Sequence, residues 1–75
     1  MKPVIVTWDD AHASLDALTP AEAEAMEAYR TDSIGYLVSK TKRGVTIAYD
    51  KYQDGTYGAY SFIPAGMVVS IKELK

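Results

Sequence analysis

The 75-residue chain sets eight Lys and Arg against ten Asp and Glu, a net charge of −2, with 48% hydrophobic and 24% charged residues. These are the proportions of one ordinary globular domain spanning residues 1–75, which excludes wholesale disorder and argues against a protein built mainly to grip nucleic acid or an anionic membrane. With no cysteine there is no disulfide, thiolate zinc site or cysteine nucleophile; one histidine excludes any site needing two; and no apolar run approaches a membrane span.

Val4-Ile5-Val6-Thr7-Trp8 is β-branched and aromatic and predicts a first strand, with Val4, Val6 and Trp8 on one face. Asp9-Asp10 is expected to end it, because short acidic side chains compete for backbone hydrogen bonds. Residues 11–18 carry no clear period. Thr19-Pro20-Ala21-Glu22 has the form of a capping box with Pro at the first helical position, and the Ala- and Glu-rich run after it predicts a surface helix over about 20–30. Its apolar face is thin, made of alanines with Met26 and Tyr29.

From Ile34 the period changes to two. Ile34 to Ser39 reads as a strand, 41–44 as a turn, and Val45 to Tyr49 as the return strand. Gln53-Asp54-Gly55 carries a hairpin signal, Thr56 to Ile63 forms the next strand, and Pro64-Ala65-Gly66 breaks it before a last strand, Met67 to Ile71. Five short strands and one helix predict a mainly β fold. Closure would remove exposed edges, so the expected form is a small Sm-like or Src-homology-3-like barrel. The alternative is an α+β arrangement with the helix packed on an antiparallel sheet.

The stretches Val4-x-Val6-x-Trp8-x-Asp10-Ala11-His12, Gly35-Tyr36-Leu37-Val38 and Ile63-Pro64-x-Gly66-Met67-Val68 resemble a group of small phage- and prophage-encoded proteins. The likeness spans most of the chain, and its motifs are short and structural in kind. It implies a viral origin and an accessory role in the cytoplasm of an infected bacterial host. It transfers no catalytic residue.

Asp9, Asp10 and His12 hold the ligand types a metal takes, yet they sit on one short stretch without a second histidine, so a solvated turn is the expectation. Ser14 lies near His12 without any oxyanion-hole motif, and no catalytic residue, metal or cofactor is assigned. The lone Trp8 is either core or a partner anchor. Charge is divided unevenly: residues 1–35 hold two cations against seven acids, net −5, and residues 36–75 six cations against three acids, net +3. Lys42 and Arg43 in the basic turn are candidates for holding phosphate. Tyr49, Tyr52, Tyr57 and Tyr60 gather within twelve residues, more aromatic surface than so small a core admits, and are expected at an interface. A chain this short has a marginal core, which points to a homo-oligomer. The expected function is non-catalytic binding of a bacterial host or defence protein by contact. The alternatives are sequestration of a small nucleotide between subunits and, less favoured by the acidic net charge, an RNA- or single-strand-binding barrel.

Overall fold

The protein is described by a computed structural model covering residues 1–11 and 17–74. Its elements are β1 (Pro3–Asp10), α1 (Pro20–Glu24), β2 (Tyr29–Thr41), β3 (Gly44–Lys51), β4 (Tyr57–Pro64), a 3-10 turn (Ala65–Met67) and β5 (Val68–Glu73). All strand pairings are antiparallel, in one sheet of order β4-β3-β2-β1-β5. The chain is mainly β, with one short helix between the first two strands. The sheet is not closed: β4 and β5 are its two edges, and the barrel expected from the strand count is not formed.

Alternation places the core. Val4, Val6, Val45, Ile47 and Ile63 are buried together on one face, and Trp8, Leu37, Val68 and Ile71 pack against them. Val6 faces Ile71 of β5, and Val45 faces Ile63 of β4, so the apolar pairs meet across the ladders. Gly35 leaves room for this packing. A Cβ there would stand 2.8 Å from the Ala48 carbonyl oxygen and 3.2 Å from Ile47 Cβ.

β2 is the long strand that joins the two halves of the sheet. Its first part pairs with β1 from Tyr29 to Tyr36, and its last part with β3 from Tyr36 to Thr41. The register with β3 shifts between Leu37 and Ser39, which leaves Val38 as an extra residue. Such bulges bend and twist a strand. This one also sets Lys40, rather than Ser39, opposite Val45 and hence on the core side.

The helix is shorter than the sequence predicts. The capping box is present: the Glu22 N–H donates to Thr19 Oγ1 at 3.2 Å, and the Thr19 N–H donates to Glu22 Oε1 at 3.1 Å. The helix nevertheless stops at Glu24 and buries no residue. Isolated helices of this length are marginal in water. Tyr29 and Arg30, expected at its end, instead open β2 opposite Asp10 and Asp9. There the Arg30 guanidinium pairs with the Asp9 carboxylate at 2.5 Å, and Thr7 Oγ1 donates to Asp32 at 2.6 Å. These cross-strand bonds also carry β1 through Asp9-Asp10, where the sequence predicts a stop.

The Asp-Gly pair does make the β3–β4 turn. The Gly55 N–H donates to the Tyr52 carbonyl at 3.1 Å with Gly55 at φ 89°, a conformation that favours glycine. Asp54 Oδ1 accepts from both the N–H and the hydroxyl of Thr56, at 2.9 and 2.7 Å. Those bonds hold the Asp54 carboxyl below its ordinary pKa, as the capping bonds from Thr19 do for Glu22.

Both carboxyls are lowered in the folded chain, so their contribution to stability is complete above the unfolded value, ~4, and is lost as pH falls through the folded value. Denaturant unfolding should therefore be insensitive to these two groups from about pH 7 to 5 and weaken below ~4, and Asp54→Asn should reduce that acid dependence. A second expectation concerns Gly44, where a Cβ would collide with the Ile63 carbonyl oxygen and stand 2.7 Å from the Phe62 ring. Gly44→Ala should cost roughly 1–3 kcal/mol in an equilibrium melt by overpacking the first pair of the β3–β4 ladder.

Candidate binding surface

The face of the sheet opposite the core is apolar but uncovered. Ile5 stands opposite Ile34, Tyr36 opposite Ala48, Ala48 opposite Tyr60, and Thr46 opposite Phe62. Because paired residues share a face, these side chains form one patch running from β1 to β4. Ala48 at its centre is fully buried, while Ile34, Tyr60 and Phe62 are 58%, 56% and 55% exposed.

Tyr52, Tyr57 and Tyr60 of the hairpin adjoin or belong to this patch. Tyr57 is half-buried and meets Tyr36 edge-on, with ring centroids 5.3 Å apart and planes at 69°. Such edge contacts align the positive rim of one ring with the negative face of the other. The Tyr60 hydroxyl donates to the Tyr57 carbonyl at 3.1 Å. The Tyr52 ring lies over Gly58, where its hydroxyl would be 2.6 Å from an added Cβ. Tyr49 and Tyr52 are exposed. Between these rings Ala59 takes φ 56°, a left-handed conformation that costs an L-residue about 1–2 kcal/mol. It lies where the pairing of β3 with β4 skips from Tyr60 to Gly58.

Trp8 belongs to the other face. It is half-buried against the core, and its Nε1 donates to Ser33 Oγ at 3.0 Å. Lys42 and Arg43 lie exposed in the β2–β3 turn. The turn is fixed by its backbone: the Arg43 N–H donates to Thr41 Oγ1 at 3.1 Å, and the Arg43 carbonyl accepts from Ala65 at 3.0 Å. Neither cationic side chain is in an ion pair among the described residues. The structure therefore brings Tyr52, Tyr57 and Tyr60 together at the hairpin, leaves Tyr49 on the side of β3 that carries Val45 and Ile47, and holds Trp8 and the basic turn apart from the three rings. Of the acidic stretch, Asp9 is engaged by Arg30, whereas His12 and Ser14 lie outside the described residues. Among the described residues no three metal-ligating side chains converge, and no helix is long and apolar enough to cross a membrane.

Sequence reasoning missed Ile34, Tyr36 and Phe62 as surface residues. The signal was present in strand parity: Ile34 and Tyr36 alternate with Gly35 and Leu37, and Tyr60 and Phe62 alternate with Ser61 and Ile63. Only the register shows that both pairs fall on the uncovered face.

Core placement of Trp8 has a measurable consequence. Trp8→Phe should cost about 1–2 kcal/mol of stability through the lost bond to Ser33 and lost packing, read from a denaturant melt. A surface anchor would leave stability unchanged and weaken only binding. Compared with known protein families, curated proteins and solved structures, the chain matches none.

Proposed function

We propose that this protein is a non-catalytic binding protein that acts by protein contact through the uncovered face of its sheet. One observation carries the reading: Ile34, Tyr60 and Phe62, all more than half exposed, lie on one face of the sheet, joined through Tyr36 and Ala48. Interface centres are enriched in aromatic side chains, which bring large contact area with few rotatable bonds. The neighbouring tyrosine hydroxyls suit a rim that is partly wet.

The open shape of the chain as a whole, the exposed helical segment included, supports self-association. The solvent-accessible surface of the chain is 5701 Å², against ~4,500 Å² for a compact monomer of its mass. Its radius of gyration is 15.5 Å, against ~11 Å for a compact domain of its length. An excess of that order is comparable with the roughly 800 Å² per partner that a standard interface covers. The strand order, with a 3-10 turn leading into β5, supports reading the sheet as an opened Src-homology-3-like barrel whose uncovered side meets another subunit or a target. The resemblance to phage-encoded proteins supports a role in the cytoplasm of an infected bacterium, with a host or defence protein as target.

Light scattering of the purified chain at micromolar concentration should give a multiple of 8.2 kDa. The double variant Tyr60→Ser/Phe62→Ser should fall to monomer with its β-sheet spectrum retained. A parent that is monomeric would reject self-association through this face, and a double variant that keeps its mass would reject this face as the subunit interface.

A further inference from the structure

A second feature lies on the opposite side of the sheet, at its β5 edge. The Leu74 N–H donates to the Pro3 carbonyl, and the Leu37 N–H to the Lys2 carbonyl. Hydrogen-bonded and non-bonded pairs alternate along an antiparallel ladder. In the β1–β5 register, Lys72 and Ser70 therefore direct their N–H and C=O groups to β1, and Ile71 and Glu73 direct theirs to the open edge.

Beside this edge is a cavity of about 290 Å³. Val69 and Ile71 of β5 form one wall, Lys40 and Val45 the other, and Ala65 of the 3-10 turn closes it. The Val38 bulge is what brings Lys40 to this side of the sheet. Lys40 is exposed and in no ion pair among the described residues, and Lys42 and Arg43 follow it in the turn.

We propose that this groove receives a short extended acidic peptide, which adds to β5 as a further strand. The open edge offers donors and acceptors in alternation, as a peptide backbone requires, whereas a phosphate group accepts only. That difference favours a peptide over a phosphate group. Val45 and Ile71 form an apolar floor for one side chain of such a strand, and Lys40 faces an acidic neighbour. Strand addition works in this way elsewhere: main-chain bonds supply affinity, and pockets for alternate side chains supply specificity. A volume at the low end of ligand pockets fits a segment of a few residues. Lys72, on the opposite face of the edge strand, opposes pairing with a second copy of β5. The site goes beyond the aromatic patch and does not depend on it.

The test is a titration of the isotope-labelled chain with a capped peptide alternating Glu and Val, followed by amide shifts and hydrogen exchange. The Ile71 amide should exchange about tenfold more slowly in the complex. Lys40→Glu should weaken the peptide about tenfold or more, and Lys40→Gln by a smaller factor, each with an unchanged melt. Tyr60→Ser should leave peptide affinity unaltered. The proposal is overturned if a peptide alternating Lys and Val binds equally well, if shifts gather at Tyr60 and Phe62 instead, or if nothing binds up to about 1 mM. Tighter binding of an oligothymidine at Lys40 would likewise overturn it, in favour of a phosphate-binding groove.

Discussion

A five-stranded sheet has two faces, and this chain has apolar material to bury only one. Val4, Val6, Val45, Ile47 and Ile63 form the buried cluster, and the half-buried Trp8, Leu37, Val68 and Ile71 complete that side. At roughly 25 cal/mol per Å² of apolar surface removed from water, so few side chains leave little margin against the entropy of ordering the chain. Each other feature follows from that scarcity. The helix has nothing to dock on and remains one short capped segment. The opposite face keeps its isoleucine, tyrosine and phenylalanine side chains in contact with solvent. Surface of this kind is what a partner removes from water.

β2 distributes the consequences. A straight strand of its length would hold the β1–β5 half and the β3–β4 half in one flat layer, with the β2–β3 turn away from β5. The extra residue at Val38 bends it, brings Val45 and Ile47 over Val4 and Val6, and leaves a groove between the turn and the β5 edge. One inserted residue thus builds the core and changes which side chain lines the groove, Lys40 in place of Ser39. The two candidate surfaces are therefore separate in chemistry as well as position: one is aromatic and nearly uncharged, the other cationic with open backbone groups.

Much of this architecture was legible in the sequence, because period-two alternation and turn chemistry are local. Val4 and Val6, Val45 and Ile47, and the Asp54-Gly55 turn needed only their neighbours to be read. The capping box at Thr19 was legible too, but helix length was not. Ala25 to Arg30 has helical propensity, and pairing with Asp9 and Asp10, some twenty residues away, overrode it. Register is non-local in the same sense. That Ile34 and Phe62 share a face depends on the β2–β3 and β3–β4 ladders at once, so Tyr60 could be nominated from sequence while the patch it belongs to could not. Closure into a barrel was expected from the need to hide edges; here the edges are left open, and one of them lines the groove.

If the uncovered face is an interface between subunits, folding and association are one equilibrium. The most direct measurement is the urea midpoint at two protein concentrations a hundredfold apart. Mass action then adds about 2.7 kcal/mol at the higher concentration, a rise in midpoint of about 1 M for a chain of this size. A midpoint independent of concentration would contradict the account and show that the buried cluster of Val4, Val6, Val45, Ile47 and Ile63 stabilises the sheet alone.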